Sequence, residues 1–254
     1  MNNIQDTDRY FATRRTVRAY DPSRPVDAEL IDHLLKLASQ APNTGNMQLY
    51  SVVVTRDPEA LAALAPAHYS QPAITAAKAA LTFCLDLNRF NRWCKAGGTE
   101  PGLDNLQGFT WGLIDTSIFA QQFVTLAELH GLGTCYLGTT TYNAGMIAEL
   151  LSLPEGVVPV VTVTVGWPLG ETPLTPRLPL EAVVHHERYS DPSDEELAAL
   201  YAPQESLPEN RRFVEENGKP NLASVFAEVR YPRSQTDHFS RVYKEFLKNS
   251  GIDL

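Results

Sequence analysis

Cysteine is scarce in this chain of 254 residues: Cys84, Cys94 and Cys135 are the only three. The number is odd and the spacing fits no zinc or thiol-redox pattern, so free thiols are expected, buried where they lie in apolar runs. Histidine is sparse as well, and the adjacent His185 and His186 would point to opposite faces of a strand. With no His-x-x-x-His or paired-carboxylate pattern, no metal site is expected. Net positive charge is also missing. Against 30 Asp and Glu stand 21 Lys and Arg, a formal charge of -9 with a sequence pI near 5.2. That balance argues against nucleic acid or an anionic membrane surface as a partner. No apolar run has the length of a membrane span, and the N-terminal stretch lacks the basic, apolar and small-residue layout of a signal peptide. The expected location is the cytoplasm.

The composition does supply a core, since 43% of residues are hydrophobic and the length suits one domain. Against the acidic background, Arg14-Arg15-Thr16-Val17-Arg18 concentrates three guanidiniums in five residues. Guanidiniums this close repel one another unless an anion joins them, and their rigid donor forks suit phosphate. The other reading is the solvated basic end of a helix. A small polar loop follows, Ala41-Pro42-Asn43-Thr44-Gly45-Asn46.

Apolar spacing predicts a helix over 27–40 with Asp27 as N-cap. Strand-type runs occupy 51–55 and 80–85, and the Ala-rich piece 74–80 between them reads as a helix or a helix end. From Thr110 to His130 the carboxylates Asp115 and Glu128 are the only charges, and apolar residues surround the axis. Such a helix belongs in a core or a subunit interface. Gly131-Leu132-Gly133 closes it, a strand is expected over 134–138 and a short helix over 144–151. Residues 157–167 give the strongest strand signal, with Pro159 at its start or on an edge. Beyond a Pro-rich loop holding Arg177 come a charged helix near 194–201 and a polar segment, 203–221, expected as a mobile loop. Last is an amphipathic helix carrying Phe239, Val242, Tyr243, Phe246 and Leu247, with Gly251 as its cap. Residues 1–190 are read as the body of the domain and 191–254 as a C-terminal extension packed on it. The class is α+β, a sheet covered by helices.

Several spaced blocks carry a resemblance. They are Arg14 to Tyr20, Ala41 to Gln48, Gly131 to Gly138, Leu153-Pro154, Val165 to Pro168 and Pro176 to Pro179. In that order they resemble the nitroreductase family, most of all its oxygen-insensitive nitroreductase and flavin reductase branch. The resemblance implies a three-layer sandwich around a mixed, mainly antiparallel sheet, an intertwined homodimer and FMN at the subunit interface, so that 1–190 becomes an FMN-binding domain. It implies that Arg14, Arg15 and Thr16 meet the FMN phosphate and that Arg18 meets the pyrimidine edge. Asn43, Thr44 and Gly45 would contact the cofactor from the partner subunit and Gln71 would reach the polar edge of the ring. Tyr136, Leu137, Gly138 and Thr139 would lie along the flavin and Arg177 would bind phosphate. Arg14 stands where relatives carry histidine, and Thr175 where close relatives carry lysine.

The implied activity is two-electron, ping-pong hydride transfer from NADPH or NADH through FMN to a small aromatic acceptor: a nitroaromatic, a quinone or free flavin. No catalytic side chain is expected, because the cofactor carries the chemistry. Arg211 and Arg212 are candidates for the 2′-phosphate of NADPH. The alternatives are a specialised FMN reductase acting on enones or halogenated phenols, and a flavin-binding protein without turnover.

Overall fold

The computed structural model describes residues 4–254. By its contacts the chain divides into two compact units, one comprising the residues up to Pro173 together with Phe239–Leu254, the other Leu174–His238.

The first unit contains α1 (Ile4–Thr13), α2 (Ala28–Ala38), β1 (Tyr50–Thr55), α3 (Pro58–Leu64), α4 (Pro72–Thr75), β2 (Ala79–Asp86), α5 (Asn88–Ala96), α6 (Leu106–Leu129), β3 (Gly133–Leu137), α7 (Ala144–Leu150) and β4 (Val157–Gly166). Among the described residues the strands form one sheet in the order β1-β2-β4-β3, antiparallel at each pairing. Both faces are covered. On one, Leu81 and Phe83 of β2 and Val163 and Val165 of β4 pack with Ile31 and Leu34 of α2 and with Phe119, Phe123 and Val124 of α6. On the other, Ala80, Cys135 and Leu137 pack with Leu64 of α3, Ile74 of α4 and Ile147 of α7. Alternate residues of one strand thus serve opposite layers, and every residue of β2 is buried. The result is the expected three-layer α+β sandwich.

One expectation in this unit is corrected and one refined. The stretch 74–80 is not helical to its end, because α4 stops at Thr75 and Ala79 already pairs with Val165. Pro159 is the third residue of β4 and takes the edge position expected of it, because β3 pairs only with Thr162–Gly166 and leaves that end of β4 bordered by β2 alone. There the register slips so that Phe83 faces Val161 and Cys84 faces Pro159. A bulge removes the need for the ladder N–H that proline lacks.

Asn105 caps α6, its Oδ1 accepting from the amides of Gln107 (3.0 Å) and Gly108 (3.1 Å). At the other end the amide of Leu132 donates to the carbonyl of Ala127 and that of Gly131 to Glu128. This is a Schellman closure with Gly131 at φ +84, a left-handed position that favours glycine. The chain therefore turns straight from α6 into β3.

The second unit holds α8 (Asp194–Glu205), α9 (Pro208–Glu216) and α10 (Leu222–Val225), and α11 (Arg233–Asn249) crosses its C-terminal boundary. Here the expectation of a loop over 203–221 fails, since α8 runs on to Glu205 and α9 fills much of the rest. The polar segment has little to bury, but it has local reasons to coil. Pro208 sits in the first turn of α9, Ser193 and Glu196 form a reciprocal capping box at α8, and Arg230 lies 4.4 Å from the centre of the Phe213 ring. Gly251, as expected, closes α11, with the amide of Ile252 donating to the carbonyl of Leu247.

Candidate functional site

The arginine block runs along the outer edge of the sheet. The amide of Val17 donates to the carbonyl of Thr134 at 2.9 Å, and the approach is close enough that a Cβ on Gly133 would stand 2.7 Å from the Val17 side chain. Arg14 to Arg18 therefore flank the strand that carries Tyr136 and Leu137.

The three guanidiniums have different fates. Arg14 grips Glu128 of α6 in a two-pronged pair, Nε to Oε2 at 3.0 Å and Nη2 to Oε1 at 2.9 Å. Glu128 also accepts from the hydroxyls of Tyr10 (2.8 Å) and Thr134 (2.5 Å). Burial, together with this bond to the carboxylate, pushes the Tyr10 phenol well above its ordinary value. The anion that relieves the crowding of Arg14 is thus internal, and the fork expected to serve phosphate is occupied. Arg15 donates to the carbonyls of Thr13 (3.0 Å) and Thr172 (2.7 Å). Arg18 is exposed, near the Cys135 thiol, which burial pushes up and the neighbouring arginines pull down.

Tyr136 is half-buried, with its hydroxyl 3.4 Å from the side-chain oxygen of Gln121. Leu137 is buried beneath the strand, while Gly138 is exposed, and a Cβ built there would meet nothing within 4 Å. Thr139 joins this edge to Gln71, because its hydroxyl lies 3.0 Å from Nδ1 of His68, and the carbonyl of His68 accepts from the amide of Gln71 at 3.3 Å. Gln71 then precedes α4, without a side-chain cap bond. The structure therefore brings the arginine block, Tyr136 to Thr139 and Gln71 to one region. An open backbone edge flanked by cations suits a ligand with a flat body and an anionic end.

Asn43, Thr44 and Gly45 lie elsewhere. Thr44 donates to Oδ1 of Asp115 from its amide (2.8 Å) and its hydroxyl (2.9 Å), which fastens the loop to the middle of α6. Asp115 and Glu128 are thirteen residues apart on that helix, about 20 Å along its axis. One chain does not bring this loop and the arginine block into contact.

Arg177 belongs to the second unit, exposed, with Nη1 on the carbonyl of Thr175. Arg211 and Arg212 are split: Arg212 pairs with Glu216 at 3.1 Å on the surface, whereas Arg211 lines a cavity of about 1230 Å³ within that unit, beside Tyr201, Glu205 and Phe226.

Sequence reading missed Asp115, Glu128 and His68 as site-building residues. A lone carboxylate in an otherwise apolar helix was the available signal for the first two, because a charge kept there must have partners. Nothing in the sequence singled out His68.

A helix-covered antiparallel sheet with such an edge defines a class of α+β sandwich. The match to protein families is specific: residues 11–167 fit the Nitroreductase family. The chain belongs to the nitroreductase family. It is 31% identical over 243 residues to a Cr(VI) reductase of Pseudomonas sp. (strain G-1), covering 94% of this chain and 95% of that protein. With the oxygen-insensitive NADPH nitroreductase of Salmonella typhimurium it shares 32% identity over 187 residues, covering 74% and 75% of the two chains. Among solved structures, one from Bacteroides fragilis superposes with a TM-score of 0.93 at 45% identity, covering 96% of this chain and 98% of that one. The NfrA1 nitroreductase of Bacillus subtilis superposes with 0.83 at 26% identity, covering 97% and 98%. Among the described residues no helix is long and apolar enough to cross a membrane.

Proposed function

We propose that this chain is an FMN-dependent NAD(P)H oxidoreductase working in alternating half-reactions. Its acceptor is a small aromatic such as a nitroaromatic, a quinone or free flavin. The observation that carries the reading is the docking of the arginine block on β3, the strand that leads into exposed Gly138, inside the family-matched region. Bound FMN would supply the two-electron hydride chemistry, so the protein's task is binding, orientation and electrostatics. Arg15 and Arg177 would neutralise phosphate with Thr16 as a further donor. Arg18 would face the pyrimidine edge, where a cation favours the charge gained on reduction. Arg14 is assigned to Glu128 instead. Tyr136 to Thr139 would underlie the ring and Gln71 would reach its polar edge.

The 20 Å separation along α6 favours a homodimer in which Asn43, Thr44 and Gly45 serve the partner's site. So does Ile114, 48% exposed on the same helix. NADPH is the preferred donor in this reading, supported by relatives named for it and by Arg211 in its cavity. The location proposed is the cytoplasm, where reduced nicotinamides are available.

The test is the absorption spectrum of protein reconstituted with FMN, followed by anaerobic addition of NADPH and NADH in turn. Retained flavin bands that bleach within the mixing time support the reading. A protein that does not retain FMN, or retains it without bleaching, sinks it. Turnover should then be measured with nitroaromatics, quinones, enones and chromate, the last because of the Cr(VI) reductase relative. Arg177→Ala should raise the FMN dissociation constant about tenfold to a hundredfold, as expected for one charged hydrogen bond to phosphate.

A further inference from the structure

His68 is fully buried at the end of a 3-10 turn over Ala65–His68. Its Nδ1 lies 3.0 Å from the Thr139 hydroxyl, and its Nε2 is buried with no partner among the described residues. Burial holds its pKa down to about 4, so the ring is neutral at working pH and carries one N–H. If that hydrogen sat on Nε2, a donor would be buried unpaired. Placed on Nδ1 it meets Thr139, and the atom left bare is an acceptor, the more tolerable orphan. The turn around the ring is held from both sides. The side-chain Nδ2 of Asn143 donates to the carbonyl of Ala67 at 2.7 Å, and the residues after His68, Tyr69 (φ 55) and Ser70 (φ 47), occupy the left-handed region that side-chain-bearing residues avoid.

A hydroxyl that accepts from an imidazole N–H has its own hydrogen to place elsewhere. Thr139 is only half-buried and adjoins exposed Gly138. We propose that His68 is a positioning residue: by donating from Nδ1 to the Thr139 oxygen it makes the Thr139 hydroxyl a dedicated donor to an acceptor atom of the bound flavin. The inference rests on the FMN reading above and goes beyond it, to what holds one donor in its orientation.

Two measurements test it together. In protein labelled with ¹⁵N-histidine and free of FMN, His68 should show a pyrrole-type shift at Nδ1 and a pyridine-type shift at Nε2. The reverse pattern, or an averaged pair, overturns the proposal. FMN titrations of wild type, His68→Leu, Thr139→Val, the double variant and His68→Asn give the second readout. The two single substitutions should each raise the dissociation constant about three- to tenfold, the worth of one neutral hydrogen bond. The double variant should lose no more than the weaker-binding single variant, because the two residues act as one unit. His68→Asn should bind close to wild type, since its amide N–H takes the place of Nδ1–H. Where His68→Leu fails to fold, Thr139→Val, His68→Asn and the NMR pattern decide. Additive losses, or variants that all bind like a wild type that does retain FMN, sink the proposal alone. A wild type that does not bind FMN sinks the functional reading and this proposal with it.

Discussion

The middle and the C-terminal end of α6 each hold a loop through one carboxylate, and they do so with opposite chemistry. In the middle, Asp115 is 1% exposed and gathers neutral donors: the amide and hydroxyl of Thr44, and at 3.4 Å the amide of Leu49. At the end, the Glu128 side chain, 8% exposed, gathers two hydroxyls and the fork of Arg14. Where the donors are neutral, the carboxylate fixes the shape of a loop without consuming a cation. Where the donor is a guanidinium, a cation is spent on the fold. Arg14 is therefore committed to Glu128, and the proposed phosphate site is left with fewer cations than the sequence suggests.

The sharpest way to break this comparison is Asp115→Ala. It leaves the Thr44 amide and hydroxyl without their shared acceptor, and hydrogen bonds to a charged group are worth about 1.5–3 kcal/mol each. A stability loss of about 3–5 kcal/mol in urea unfolding is expected. A loss below about 1 kcal/mol would mean that the loop holds itself.

His68 calibrates the pH behaviour against which both carboxylates must be judged. Its folded pKa, about 4, lies below the 6.5 of an unperturbed histidine. The unfolded chain therefore binds the proton first as pH falls. Stability from this group is complete above about pH 6.5, is lost on descending towards pH 4 and is constant below that, amounting to about 3 kcal/mol. His68→Leu should flatten the stability curve in that window. If it leaves the slope unchanged, the ring is not buried neutral, and losses between pH 6.5 and 4 must be reassigned to the carboxylates.

How much of this was legible beforehand depends on what holds each element. The β-branched runs of β1, β2 and β4, the apolar stripe of α2 and the closure at Gly131 were readable because burial and backbone geometry constrain residue type at each position. The α9 helix was not, because its support is a leading proline and an arginine over Phe213, none of which produces periodicity. At the site, the edge residues came from the resemblance, and the structure then grouped Arg14 to Arg18, Gln71 and Tyr136 to Thr139. The occupancy of Arg14 was not readable, since the sequence shows that Arg14 and Glu128 are charged but not that a turn and a strand bring them together across 114 residues.

Glu128→Gln sharpens the other side of the comparison. The amide would keep one acceptor for Arg14 but present an N–H₂ to the Tyr10 or Thr134 hydroxyl. Removing one partner of a buried pair costs about 3–5 kcal/mol. Because the Arg14 side chain is 22% exposed, a smaller loss of about 2 kcal/mol is expected. A change under about 0.5 kcal/mol in thermal or urea unfolding would place the pair with ordinary surface bridges.

The smallest effect should be that of Arg14→Ala on the cofactor. If Glu128 owns this guanidinium, its removal destabilises the fold but leaves the FMN dissociation constant within about twofold of wild type, near 0.4 kcal/mol. Arg18→Ala makes the contrast, because an exposed cation facing the ring should matter most when the ring is anionic. It should lower the midpoint potential of bound flavin by the equivalent of about 1–3 kcal/mol while weakening oxidised FMN less. Measuring dissociation constants and potentials for both variants at low and moderate salt separates local contact from general charge, since screening weakens only the latter. Should Arg14→Ala release FMN as readily as Arg177→Ala, the Glu128 pair must open when phosphate binds, and the two carboxylates of α6 would then be alike in withholding no cation from a ligand.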